Sequence, residues 1–89
     1  MNTMREFRLF GALREYGSPD SMISIEIPAA ISIAELRTHL ASVIGAQKGD
    51  HARSLVLDSA IADERRLLTD QDTLPETGTF SLLPPVCGG

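Results

Sequence analysis

The sequence predicts an α+β fold in which one helix packs against a small mixed sheet. Two segments near the start, REFRLF and SMISIEI, alternate apolar and polar residues as half-buried strands do. A capping-box motif then opens an amphipathic helix, and a last alternating segment, TFSLL, lies close to the end. Packing a single apolar helix stripe against one sheet is the most economical way to bury it.

The first two strands are predicted to form a hairpin. In REFRLF, phenylalanine and leucine alternate with charged residues, which places the first strand at about residues 4–10. Residues 12–16 are expected to leave this strand in a helical turn or loop, and the turn formers GSPD follow. In SMISIEI the three isoleucines fall on one face of the second strand.

The capping box of Ser32 and Glu35 marks the start of a helix, because each side chain can pair with an N–H group that a helix start leaves free. The helix is predicted over residues 33–44, and Gly45 is expected to end it in the left-handed conformation. The apolar residues at helical spacing are Ile33, Leu36, Leu40, Val43 and Ile44. The polar residues expected to face water are Arg37, Thr38 and Ser42.

The second half of the chain is expected to add three strands. GAQKGDHARS is interpreted as a polar loop and LVL as a buried strand that leads into Asp58. Residues 61–68 are predicted to hold a short edge strand with solvated charges. After a turn-rich stretch, TFSLL forms the last strand, and two prolines end it. Residues 1–83 are therefore expected to form the domain and residues 84–89 a flexible tail.

Composition excludes several functions. The 89 residues suit one domain, and a net charge of -4 offers no basic face for nucleic acid. The sequence contains no export signal and no stretch near the roughly 20 apolar residues that span a membrane, which predicts a cytoplasmic protein. The single cysteine cannot form an internal disulfide, and the two histidines, His39 and His51, lack neighbours at metal-ligand spacing.

Residues 74–78 spell LPETG, the signal by which sortases attach proteins to cell walls. That signal requires export, followed by a hydrophobic span and a basic tail, whereas here only TFSLLPPVCGG follows. Pro75 and Gly78 are therefore predicted to shape a turn before the last strand.

The last six residues are predicted to be chemically active. Fully extended they reach about 20 Å, so they can enter another protein. Pro84 and Pro85 stiffen the base of this tail, and Gly88 and Gly89 can pass a narrow channel because they carry no Cβ. The ionised Gly89 carboxylate is a poor electrophile until ATP adenylates it. A sulfur nucleophile would then leave a thiocarboxylate, and an amine would leave an amide.

RLFGALRE, the SxxE helix and LLPPVCGG together resemble the small subunit of molybdopterin synthase, a sulfur carrier of the MoaD/ThiS-like family with a ubiquitin-like β-grasp fold. The resemblance implies that a ubiquitin-activating-like (MoeB-like) adenylyltransferase uses ATP to activate Gly89, which then receives sulfur. It also implies that Gly88 and Gly89 enter the large (MoaE-like) subunit, which makes the dithiolene of molybdopterin. The chain would carry sulfur without catalysing and would bind no cofactor of its own.

The chain departs from the family pattern at two places. Leu57-Asp58 stands where Val-Asn is common, and Cys87 stands where a small unreactive residue is usual. Cys87 is nevertheless predicted to be dispensable for accepting sulfur.

The residues expected to thread into a partner are Pro84, Pro85, Val86, Cys87 and Gly88. The residues expected to contact a partner are Phe10, Arg14, Phe80, Leu82 and Leu83. Phe10 and Arg14, with Leu13, could instead serve hairpin packing alone. Three other functions stay open: a sulfur carrier for thiazole, cysteine or another thio-metabolite, a protein modifier that forms isopeptides through Gly89, and a β-grasp binding module with an inert tail. The sequence PPV at residues 84–86 favours the molybdopterin carrier over these alternatives.

Overall fold

A computed structural model describes residues 2–85 and confirms the α+β fold class. The elements in chain order are β1 (Asn2–Leu9), a 3₁₀ helix (Gly11–Tyr16), β2 (Met22–Pro28), α1 (Ile33–Lys48), α2 (Asp50–Leu57), β3 (Ala60–Ala62), β4 (Leu67–Leu68) and β5 (Phe80–Leu83). The strands form one sheet in the order β2-β1-β5-β3-β4. β1 and β5 run parallel, and the other neighbouring strands run antiparallel.

The two faces of the sheet differ in what covers them. Alternate residues of the strands point to an inner face, where they join the apolar stripe of α1 in one buried core. The inner-face residues are Phe7, Leu9, Ile25, Ile27, Ile61, Leu68, Phe80 and Leu82. The residues between them form the outer face.

The predicted hairpin is confirmed. β1 pairs with β2 from Asn2 opposite Pro28 to Arg8 opposite Met22, so both strands have their expected faces. The predicted helical turn is the 3₁₀ helix, in which Leu13 is fully buried and anchors this connection to the core.

The capping box forms as expected. The Ser32 Oγ accepts the backbone N–H of Glu35 at 3.2 Å, and a Glu35 carboxylate oxygen accepts the backbone N–H of Ser32 at 3.2 Å. The Ser32 hydroxyl also donates to that carboxylate at 2.9 Å. These bonds to Ser32, first from its side chain and then from its backbone, lower the pKa of Glu35.

The predicted end of the helix at Gly45 is wrong. α1 continues to Lys48, and Gly49, with φ of 103°, follows its last residue and donates its N–H to the Gly45 carbonyl at 2.9 Å. A Cβ on Gly45 would lie 2.7 Å from the Arg53 Cβ. Gly45 therefore permits the close approach of α2, which explains a glycine inside a helix.

The predicted polar loop and LVL strand are also wrong, because most of these residues form α2. Ala52 and Val56 lie one helical turn apart and are fully buried, whereas Leu57 is 46% exposed. Three consecutive apolar residues fit a helix as well as a strand. The third strand is instead β3, which begins at Ala60.

The expected edge strand within residues 61–68 is confirmed as β4, at one edge of the sheet. Asp63 holds the turn between β3 and β4, since its carboxylate accepts the backbone N–H groups of Arg65 and Arg66, both at 2.8 Å. These two bonds, in that order, lower the pKa of Asp63.

Arg37 does not face water as predicted, although Thr38 and Ser42 do. Its side chain is 18% exposed, donating from Nε to the Ser59 carbonyl at 2.9 Å and from Nη1 to Asp70 at 2.6 Å. Arg37 therefore ties α1 to the start of β3 and to the loop before β5. A long polar side chain on a helix flank can reach such partners even when its Cα lies near the surface.

The turn expected at LPETG is present. Leu74 is 5% exposed and donates its N–H to the Ile31 carbonyl at 2.9 Å, while the Pro75 carbonyl accepts from Arg5 Nη2 at 2.8 Å. Gly78 has a φ of 109°, which suits glycine. Leu74 is therefore a core residue that closes the start of α1.

Candidate functional site

The candidate functional site lies where β5 leaves the sheet. The Phe10 N–H donates to the Leu82 carbonyl at 3.3 Å, and Leu83 pairs with Ala60 on the other side. Pro84 is half-buried and Pro85 is exposed. Because proline has no N–H to donate, the ladder ends here and the chain turns to the surface.

Gly11 forms one wall of this site. It has a φ of 56°, and a Cβ placed on it would lie 3.0 Å from the Pro84 Cγ and 3.7 Å from the Pro84 Cδ. The Pro84 ring therefore packs directly against the backbone at the start of the 3₁₀ helix.

An apolar patch borders the site on the outer face. Leu67, which is 57% exposed, pairs with Ala62, and Ala60 in the same strand pairs with Leu83. Phe10 follows the inward-pointing Leu9 and is 39% exposed. We call this surface the outer patch: Phe10, Ala60, Leu67 and Leu83, together with Ala62, which is itself only 8% exposed. The arrangement provides an apolar surface beside the point where the chain leaves the sheet.

Of the four apolar residues expected to contact a partner, two lie at the surface and two do not. Phe10 is exposed and Leu83 is half-buried, so both can be reached by a partner. Phe80 and Leu82 are 1% and 0% exposed, and their predicted partner contact is wrong. Both belong to the inner face, where the Phe80 ring lies 6.2 Å from that of Phe7. The alternation of β5 was predicted, but which of its faces α1 covers was not.

Leu67 is the surface residue that sequence reasoning missed. It sits in the charged stretch DERRLL, where two adjacent leucines show no periodicity. The pair Leu67-Leu68 could have indicated a surface leucine, because two neighbouring residues of a strand point to opposite faces and one of them must point away from the core.

Arg14 is exposed in the 3₁₀ helix, four residues from Phe10. Its Nε donates to the Ser21 Oγ at 3.3 Å. This bond orients the side chain along the β1–β2 connection, and a contact between Arg14 and a partner stays a prediction. The expected threading residues Val86, Cys87 and Gly88, and the expected reactive Gly89, lie outside the described residues.

The carboxyl groups with shifted pKa values serve structure elsewhere. Besides Glu35 and Asp63, Asp72 has its pKa lowered, first by the Thr69 N–H at 2.7 Å and then by the Arg66 guanidinium at 3.1 Å. None of these three belongs to the outer patch. Within residues 2–85, no three His, Cys, Asp or Glu side chains cluster so as to hold a metal ion. In the same range no helix is long and apolar enough to span a membrane.

No family model matches the sequence, and no curated protein matches it either. Among solved structures the chain is similar to SAMP1 from Haloferax volcanii, with a TM-score of 0.65 and 18% identity over 98% of this chain and 100% of that one. It is also similar to a chain in the complex of subunits 1 and 2 of molybdopterin-converting factor from Helicobacter pylori. That match has a TM-score of 0.55 and 31% identity over 98% of this chain and 100% of that one.

The chain belongs to the MoaD/ThiS-like family of ubiquitin-fold proteins. The similarity to SAMP1 shows the fold, and the higher identity to the Helicobacter pylori chain shows the family. The ubiquitin-like β-grasp fold expected from the sequence is thereby confirmed. In this MoaD/ThiS-like chain the fold brings the end of β5 and the outer patch to one side of the sheet.

Proposed function

We propose that this MoaD/ThiS-like chain carries sulfur as a thiocarboxylate on Gly89 and acts as the small subunit of molybdopterin synthase. One observation carries the proposal: the chain leaves β5 at Pro84 beside an apolar patch, on the sheet face that none of the helices described in residues 2–85 covers. Exposed apolar surface of this kind is typical of protein interfaces. The 31% identity to a chain of molybdopterin-converting factor supports the choice of pathway.

The chemistry requires only the terminal carboxylate of this chain. A carboxylate oxygen of Gly89 attacks the α-phosphorus of ATP and releases pyrophosphate. A sulfur nucleophile then attacks the adenylated carbonyl carbon and displaces AMP, which leaves a thiocarboxylate. The sulfur carries the negative charge and is a better nucleophile than the oxygen it replaced. This chain supplies the carrier group, and its partners supply catalysis.

Two partners follow from this sequence of steps. A MoeB-like adenylyltransferase binds the ATP and activates Gly89, and a MoaE-like large subunit accepts the sulfur into the molybdopterin precursor. We propose that the large subunit covers Phe10, Leu67 and Leu83, with Arg14 at the rim of the contact. The six residues from Pro84 to Gly89 then reach about 20 Å into it when extended.

Intact mass spectrometry tests the proposal. The chain ending at Gly89 is incubated with ATP, sulfide and a MoeB-like enzyme, and its mass is measured. We expect the increase that corresponds to one sulfur in place of one oxygen, and then its loss when the large subunit and the molybdopterin precursor are added. The control lacking Gly89 keeps the domain intact but withdraws the carboxylate by about 3.5 Å, and it should gain no sulfur.

Other masses would point to other functions. A ladder of larger adducts in cells would show a protein modifier that acylates lysines. A thiocarboxylate that the large subunit does not consume would show a carrier for another thio-metabolite. The Cys87→Ala variant should still gain sulfur, because a ring between the Cys87 sulfur and the Gly89 carbonyl would strain two peptide units that prefer to be trans. If the wild-type chain gains no sulfur, the proposed function is wrong.

A further inference from the structure

Gly11 is the residue at which the folded domain touches the base of the tail. Two features separate it from the other described glycines. It combines a positive φ, of 56°, with a close neighbour, since its hypothetical Cβ would lie 3.0 Å from the Pro84 Cγ. Gly49 and Gly78 also have positive φ, but a Cβ on either would meet nothing within 4 Å.

The contact lies immediately after the last hydrogen bond that holds the end of β5 to β1. The Phe10 N–H donates to the Leu82 carbonyl, and Gly11 is the next residue along the chain. Pro84 cannot donate an N–H to any neighbouring strand, so packing of its ring replaces backbone pairing as the constraint on its position. The φ of proline is itself fixed, and moving its ring therefore redirects the chain beyond it.

We infer that Gly11 is a positioning residue for sulfur transfer, because its missing side chain seats the Pro84 ring and thereby sets the direction in which the tail leaves the domain. The inference rests on the proposed function for its chemical consequence but not for its geometry. A Cβ at Gly11 requires Pro84 to move by a few tenths of an ångström, and this changes the point from which the rest of the tail starts. Reaction rates fall about a hundredfold when reacting atoms are misplaced by about 1 Å.

The geometry is tested with a spin label on Cys87, the single cysteine of the chain. Paramagnetic broadening of backbone amide signals in the domain maps the positions that the label samples. Gly11→Ala should change this map, and Gly78→Ala should leave it unchanged, although both put alanine at a positive φ. Gly78→Ala therefore controls for backbone strain without the contact.

The chemistry is tested by the rate at which the unlabelled variants gain sulfur from ATP, sulfide and the MoeB-like enzyme. For Gly11→Ala we expect kcat to fall at least about tenfold while KM stays within about twofold, since the substitution changes no exposed side chain other than its own methyl group and acts on the position of the carboxylate. Gly78→Ala should keep both constants. A variant that was merely unstable would recover its rate at lower temperature, and Gly11→Ala should not.

A second substitution approaches the same contact from the other side. Pro84→Ala removes the Cγ and Cδ atoms that a Cβ on Gly11 would meet. Adding Gly11→Ala to Pro84→Ala should therefore change the label map and kcat less than adding it to the wild type does. This cycle remains informative if Gly11→Ala alone folds poorly.

An unchanged label map in Gly11→Ala would overturn the positioning role, and so would equal effects of Gly11→Ala in the two Pro84 backgrounds. A changed map with a wild-type kcat would overturn its link to sulfur transfer. If the wild-type chain gains no sulfur at all, the proposed function and that link fail together. The label map would still decide whether Gly11 directs the tail.

Discussion

The two faces of the sheet are built from the same strands, but the inner face is buried in the core and the outer face lies at the surface. Two leucine doublets show this most directly: Leu68 and Leu82 are 6% and 0% exposed, whereas their neighbours Leu67 and Leu83 lie at the surface. The inner leucines pack under α1 and stabilise the fold. Within residues 2–85 no helix covers the outer leucines, and Leu83 directly precedes Pro84, where the chain leaves the sheet. Adjacent residues of one type can therefore serve stability and recognition separately, which makes them suitable for matched substitutions.

The largest expected effect comes from the doublet in β5. Leu82→Ala should lower the free energy of unfolding by about 2–5 kcal/mol, because it leaves a cavity in a closely packed core. Leu83→Ala should lower it by less than about 1 kcal/mol, since the side chain is partly solvated. Urea unfolding measures both. Equal losses in the two variants would show that the faces do not differ in packing.

Next in size is the effect of charge on the outer patch. Leu67→Glu should weaken binding to the large subunit at least tenfold, or by about 1.4 kcal/mol, because it places a carboxylate in an apolar contact. Its unfolding free energy should stay within about 0.5 kcal/mol of the wild type.

The matched control for this substitution is Leu57→Glu, which changes an exposed leucine of α2 that lines a surface depression between α1 and α2 and is not part of the outer patch. Calorimetric titration of the large subunit should give a wild-type affinity for this control. Similar losses in Leu57→Glu and Leu67→Glu would place the interface elsewhere.

A smaller effect is expected at the rim of the inner face. The Arg5 guanidinium lies 5.1 Å from the centroid of the Phe80 ring and donates to the Pro75 carbonyl at 2.8 Å. Arg5→Ala removes both interactions and should lower the free energy of unfolding by about 1 kcal/mol. Arg8 occupies the outer face of the same strand, and Arg8→Ala should stay within about 0.5 kcal/mol of the wild type in thermal unfolding. A larger loss of stability in Arg8→Ala than in Arg5→Ala would contradict the expected difference between the two faces.

The smallest expected effect is a pH dependence of stability, which arises in the loop that covers the start of α1. Asp72 accepts the Thr69 N–H, and the Asp72 carbonyl accepts the Ile33 N–H at 2.8 Å. The lowered pKa of Asp72 means that its ionised form stabilises the fold above the ordinary value of 3.8 and loses this effect as the pH falls through the folded-state pKa. Asp72→Asn should therefore be less stable than the wild type near neutrality.

Urea unfolding of both proteins between about pH 6 and about pH 2 checks this direction. The difference in stability should shrink steadily below the ordinary carboxyl value. A difference that stays constant across this range would show that the Asp72 charge has no part in holding the loop.

The sequence by itself determined the elements whose signals are local. The hairpin follows from two runs with period 2, and the start of α1 follows from Ser32 and Glu35, which pair within one helical turn. β5 and its end follow from an alternating run closed by two prolines. In each case the residues that predict the element also make the contacts that form it, so the prediction did not depend on a distant part of the chain.

Tertiary structure alone decided the rest. From the sequence alone, residues 55–57 fit a strand as well as a helix, and the packing of α2 on α1 decides for the helix. From the sequence alone, Gly45 fits a helix end, and only its close approach to Arg53 explains a glycine inside α1. The side of the sheet that α1 covers decides which leucine of each doublet faces the core. For the same reason Phe80 and Leu82 are buried and do not belong to the partner-binding surface predicted for them. Alternation in a strand defines two faces but does not name the buried one, because burial is a property of the contacts that another element makes.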